Sequence, residues 1–207
     1  MVVFMHRHPY LPQTSIRVLA ALILCISFAG VSNVVSADES HQVKVATFDI
    51  DATPSIGSMM AYDRVVRVEE MGLRARGIVL LGGGQPIVLC AVDWIGIGNG
   101  GHDAFRERLA NAAGTTRERV AVHTLHQHDA PRCDFSAEQL LNNIGVSDLG
   151  PHDGALARDV IKRIGISVEE AINKAKPVTH YGIGVSTVEK VASNRRILDD
   201  QGKVRAT

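Results

Sequence analysis

The chain has 207 residues, of which 45% are hydrophobic, 21% charged and 4% aromatic. That balance excludes disordered, collagen-like and low-complexity proteins and makes one core domain the expectation. Basic and acidic side chains cancel at 22 each, so there is no electrostatic footprint for nucleic acid.

Residues 1–37 read as a secretory signal peptide. Arg7 and Arg17 come without an acid, the apolar run VLAALILCISFAGV follows, and small residues close the segment at Val35-Ser36-Ala37. An uncleaved anchor competes with this reading, because the run is near the lower length limit for a bilayer span. A lipoprotein site at Cys25 is disfavoured by the bulky Leu24 before it. Residues 38–207 form the mature chain, expected to be secreted or periplasmic in the cell envelope. Loss of Arg7 and Arg17 lowers the basic count from 22 to 20 against 22 acids.

The first expected element is a strand over His41–Ile50, carrying Val43, Val45 and Phe48 and ending in the turn-like DATPSIGS. LRARGIVLL and PIVLCAVDW, joined by GGGQ, predict a β-hairpin whose second strand is buried and ends at Asp93. GGGQ and GIGNGG lack a P-loop lysine and read as turns rather than phosphate cradles. Phe105, Leu109 and Ala112 predict a helix over Asp103–Ala113, stopped by Gly114. A strand at Val120–Val122 leads into the histidine-rich segment. Further helices are expected at Ser136–Asn143 and Asp153–Lys174, the latter closed by Pro177. VTHYGIGVSTV predicts another strand, and a strand-turn unit with Asp200-Gln201-Gly202 at its tip ends the chain. The fold class expected is α/β, a mixed β-sheet flanked by helices. Ending so soon after a glycine turn suggests a truncated sequence.

The segment VAVHTLHQHDAPRCD places His123, His126 and His128 within six residues, with Asp129 directly behind. Neutral imidazole is a preferred zinc ligand, and catalytic zinc sites use about three protein ligands plus an open position. Residues two apart share a face of an extended chain, so His126 and His128 can point into one cavity. His123 is offset by three. The end of a strand in an α/β fold is a common place for such groups. Asp129 could bind metal or orient an imidazole. A solvated polar loop is the competing reading. Asp93 reads either as a carboxylate near the metal or as a strand-end cap. His102, His152 and His180 read as ordinary histidines and Trp94 as packing. Cys90 and Cys133 could pair, or Cys90 could be a buried thiol. The H-x-H-D order does not fit the metallo-β-lactamase register.

The ordered pieces DIDATP, SMMAYDR, LRARGIVL, IVLCAVDW, RVAVHTLHQHDAP and SNRR resemble the N-terminal region of the neutral/alkaline, non-lysosomal ceramidases, zinc amidohydrolases that cleave the amide of ceramide. The resemblance runs from about Val43 to Arg196. Asp51, Thr53 and Pro54 match the family's D-x-T-P turn. Met59, Met60 and Tyr62 match its M-M-G-Y, with Ala61 for glycine. Arg74 and Arg76 fall on its arginine-bearing strand, and Asp93 ends the next strand as the family's aspartate does. Its T-H-T-H-S-G-P segment falls on Leu125 to Pro131, which implies that His126 is a zinc ligand and that His128 is a second ligand or a close neighbour of the site. Departures begin within this segment, where Leu125 and Gln127 replace its threonines, and continue after His128. Asp129-Ala130 replace Ser-Gly, Arg132 and Cys133 replace glycines, and Arg196 replaces the serine that follows Asn194 and Arg195.

The resemblance implies a zinc cofactor, a small-molecule amide or lipid substrate and peripheral membrane contact, with no nucleic-acid partner. It also places the remaining zinc ligands and the catalytic serine beyond Thr207, so this chain is expected to hold only part of a site. The alternatives are a non-catalytic envelope protein that keeps the fold, or a hydrolase of another amide or ester.

Overall fold

A computed structural model describes residues 42–189 and 196–206. The expected signal peptide, and Asn194 and Arg195 of the SNRR motif, lie outside the described residues.

Strand β1 (Lys44–Asp51) pairs antiparallel with β2 (Arg74–Leu81), which forms a hairpin with β3 (Ile87–Val92). The glycine turn between β2 and β3 is where the sequence places it. The inward phase of β1 differs from the expected one. Ala46 and Phe48 are buried, whereas Val43 is 44% exposed, so alternation starts from the small Ala46 rather than from the valines. Gly77 explains part of this packing, because Phe48 lies opposite it. A Cβ at Gly77 would meet the Phe48 ring at 2.5 Å and the Leu89 carbonyl at 2.0 Å.

Past β3, the two-residue β4 (Gly96–Ile97) leads into helix α1 (Asn99–Ala113). The helix begins inside the glycine run, four residues before the expected Asp103. Gly101 permits this, since a Cβ there would sit 2.5 Å from the Cys133 sulfur. Gly114 ends the helix in a left-handed conformation, with φ of 65°. Strand β5 (Val120–Thr124) then runs parallel to β3, giving a β-α-β unit. A short β6 (Arg132–Cys133) pairs with β4.

Asp134 caps helix α2 (Phe135–Asn143) by accepting from the Ser136 and Ala137 amides. Helix α3 (Ala155–Ile172) buries Ala157, Val160, Ile164, Val168 and Ala171 along one stripe, as its 3.6-residue periodicity predicts. Pro177 does not close this helix directly. It lies in β7 (Lys176–Pro177), which pairs with the start of β1. The expected strand over VTHYGIGVSTV is absent. Past Val178, whose amide still donates to the Val43 carbonyl at 2.8 Å, residues 179–188 form no strand, and Tyr181, Ile183 and Val185 are almost fully exposed. The terminal strand-turn unit is a small hairpin of β8 (Ile197–Leu198) and β9 (Val204–Ala206).

The main sheet has the order β5-β3-β2-β1-β7 and is mixed. Helices α1 and α3 pack against each other and against this sheet, and their buried residues share one core with Val79, Val88, Cys90 and Val92. The fold is therefore α/β, a mixed sheet flanked by helices. No helix among the described residues is long and apolar enough to cross a membrane.

Candidate functional site

The parallel strands β3 and β5 end side by side, and the chain beyond them builds the histidine loop. The ladder continues for one turn past the strands. The Leu125 amide donates to the Val92 carbonyl at 3.1 Å, and the His126 amide to the Trp94 carbonyl at 3.2 Å.

His126 adopts a left-handed backbone conformation with φ of 57°. Few non-glycine residues occupy this region, and such conformations gather at functional sites. The segment is thus turned, not extended as the i, i+2 argument assumed, yet the two histidines still meet. The His126 and His128 rings lie 5.3 Å apart between centroids, nearly at right angles. His126 Nδ1 is 2.8 Å from the Ile95 carbonyl oxygen. A carbonyl can only accept, so Nδ1 carries a proton, and in the neutral ring Nε2 keeps the free lone pair, the tautomer suited to holding a metal.

His128 is flanked by Tyr62, with ring centroids 5.6 Å apart. Tyr62 belongs to a long loop, residues 52–73, which is fastened to the histidine loop where the Ala61 amide donates to the Ala130 carbonyl at 3.0 Å. The base of the long loop is closed by the D-x-T-P turn. The Thr53 amide and hydroxyl both donate to Asp51 Oδ1, at 2.9 and 2.5 Å, and the Leu73 amide donates to the Thr53 hydroxyl at 2.8 Å. The Thr53 hydroxyl holds the Asp51 carboxyl below the usual carboxylate range. Trp94, fully buried, packs edge-on against Phe105 and donates its indole N–H to the Ala52 carbonyl at 3.1 Å. Its role is packing, as expected, with the added task of anchoring the loop base.

Asp93 lies beneath the loop. Its Oδ2 accepts from the Arg74 amide at 2.8 Å, and its carbonyl accepts from the Gln127 side chain at 3.1 Å. Its carboxylate thus caps the start of β2, while its main chain steadies the residue between the two histidines. Asp129 is exposed and makes no hydrogen bond or ion pair among the described residues. It lines a cavity of about 750 Å³ together with Gln127, Met60 and the apolar Val66, Val68 and Met71. His123, on β5 opposite Ala91, is in ring contact with neither of the other two histidines.

Among the described residues, no group of three or more His, Cys, Asp or Glu side chains is arranged to hold a metal ion. The donors present, one imidazole of fixed tautomer with a second beside it, fit two positions of a zinc site. Cys90 and Cys133, the two cysteines among the described residues, are free thiols. Burial pushes each of them up to about 12, so neither is a nucleophile at neutral pH.

Sequence reasoning singled out Tyr62 only as part of a motif and did not place it beside His128, because the contact spans more than sixty residues of chain. The Ile95 carbonyl carries no signal in sequence at all.

No family model matches the chain, and no curated protein matches it in sequence. Among solved structures, the chain is similar to the neutral ceramidase from Pseudomonas aeruginosa, at 18% identity and a TM-score of 0.49 over 66% of this chain and 22% of that one. A ceramidase complexed with C2 is similar at 19% identity and a TM-score of 0.48, with 66% of this chain and 22% of the other covered. The chain therefore spans 22% of the length of the solved ceramidases it matches.

Proposed function

We propose that the chain is part of a secreted, zinc-dependent amide hydrolase of neutral ceramidase type. The observation that carries this reading is the fixed tautomer of His126, whose Nδ1 is occupied by the Ile95 carbonyl at 2.8 Å. A solvated polar loop has no need of that contact or of a left-handed histidine.

In this reading His126 and His128 hold the metal, and further ligands come from outside the described residues. Zinc, when bound, supplies a Lewis acid that polarises the amide carbonyl. The Ile95 carbonyl orients the His126 ring, Gln127 ties the loop between the histidines to Asp93, and Asp129 offers a carboxylate to the 750 Å³ cavity that it lines. The apolar wall of that cavity suits a substrate with an acyl chain. Val66 and Met71, 83% and 88% exposed, would support peripheral contact with a lipid surface.

Hydrolysis of a panel of N-acyl lipids and simpler amides and esters by the full secreted protein tests this. The expected result is chelator-sensitive amide cleavage, lost in His126→Ala. Hydrolysis of esters alone would move the assignment to another substrate class. A fully inactive protein that still binds zinc would favour the non-catalytic envelope protein, a reading motivated by the altered residues Asp129, Ala130, Arg132 and Cys133 after the histidines.

A further inference from the structure

A second cavity, of about 330 Å³, lies between the long loop, β6 and the turn that leads into α3. Two arginines line it, Arg64 and Arg132. Arg64 has a partner, since its Nη1 donates to the Gly57 carbonyl at 3.0 Å. Arg132 has none. Its Nε is sealed from solvent without a hydrogen-bond acceptor, and its guanidinium forms no ion pair among the described residues.

Arginine stays charged at any physiological pH and carries five donors. Arg132 as a whole is only partly buried, but a sealed donor left unpaired points to an acceptor that completes it. Two carboxylates also line the cavity, and each holds a main-chain amide with one of its oxygens. Asp148 Oδ1 accepts from the Gly150 amide at 3.0 Å, and Asp153 Oδ1 from the Ala155 amide at 2.9 Å. Leu156 and Ala157, in the first turn of α3, complete the wall, where helix amides lack intrahelical acceptors.

We infer that this cavity binds a small oxyanion, a phosphate or carboxylate group, in the fork of Arg132 with Arg64 beside it. Its volume is near the lower end for ligand sites, roughly 300 Å³, which suits one anionic group rather than a lipid chain. Arg132 stands where the family resemblance has glycine, so the site is a feature of this chain. It does not depend on the zinc reading.

Calorimetric titration of the whole protein with sodium phosphate, and separately with sodium acetate, tests the inference when sodium chloride at matched ionic strength serves as the blank. Saturable one-to-one binding of at least one of the two ions is expected, and the tighter one identifies the group the site prefers. Arg132→Gln should weaken it by about tenfold, the usual weight of a charge-assisted hydrogen bond. Arg132→Lys, which keeps the charge and loses the fork, should weaken it by a smaller factor. Lys162→Gln, an exposed charge on α3, should change nothing. No saturable binding of either ion, or parental affinity in Arg132→Gln and Arg132→Lys alike, overturns the inference. Where circular dichroism shows that the glutamine variant does not fold, the lysine variant decides.

Discussion

The helix-sheet layer and the histidine rim are held together by different physics. Between α1, α3 and the sheet, Phe105, Leu109, Val160 and Ile164 are fully buried, and the stabilising term is apolar area removed from water, spread over many contacts. At the rim, apolar side chains such as Val66 and Met71 stand exposed. The loops there are positioned by single hydrogen bonds donated by Trp94, Ala61 and Gln127 and by one that the Ile95 carbonyl accepts. The rim is therefore expected to lose its geometry without the layer unfolding, whereas damage to the layer should remove both.

The largest expected effect comes from breaking the layer. Ile164→Ala should destabilise the protein by about 2–5 kcal/mol, the range for a large-to-small change in a packed core, read as a fall in melting temperature with any zinc binding lost in parallel. An intermediate effect is expected between the regions, at the entrance to α3. Glu138 is buried, accepts from the Gly154 amide at 3.0 Å and pairs with Arg158. Glu138→Ala should cost about 1–3 kcal/mol, at the lower end if the partly exposed Arg158 turns to solvent.

That pair also sets a pH dependence. The Arg158 hydrogen bond holds the Glu138 carboxyl below its ordinary value of 4.5. A lowered carboxyl contributes stability that is fully present above the ordinary value and is lost as the pH falls through the lowered one. Chemical denaturation of the parent should therefore weaken below about pH 4.5, and Glu138→Gln should flatten that part of the profile. An unchanged acid limb in the variant would show that the pair does not contribute.

Trp94→Phe keeps most of the packing volume but leaves the Ala52 carbonyl without its donor. The expected cost is about 1–2 kcal/mol, with hydrogen exchange rising in residues 52–73 and not in α3. Exchange that rises equally in both would erase the distinction between rim and layer. The smallest effect is assigned to His123→Ala, within about 0.5 kcal/mol of the parent and with zinc content unchanged. Loss of zinc in that variant would make all three histidines one cluster.

The layer was the part most legible in the sequence. The GGGQ turn between two β-rich runs sets the β2–β3 hairpin, and the 3.6-residue stripe from Ala157 to Ala171 sets α3, because both signals are local. Where a partner decides, the sequence reading fell short. Tyr181, Ile183 and Val185 alternate as a strand should, but a strand exists only against a neighbour, and none is present among the described residues. The helix start inside GIGNGG depends on how closely Gly101 approaches Cys133, which no local pattern reports.

The site was legible in composition and not in geometry. The closeness of His126 and His128 follows from their spacing, although it arises through a turned backbone rather than an extended one. Tyr62 and the Ile95 carbonyl reach the histidines only through the fold. Asp93 illustrates the same limit: both readings of it were open in sequence, and its carboxylate is now seen on the Arg74 amide.

The central claim is that His126 and His128 hold a zinc ion. Elemental analysis of zinc in the purified full protein, compared with His126→Ala and His123→Ala prepared in the same way, tests it most directly. About one zinc per chain is expected in the parent and in His123→Ala, as for a single catalytic site, and little or none in His126→Ala. Zinc retained in full by His126→Ala, or absent from the parent, would contradict it.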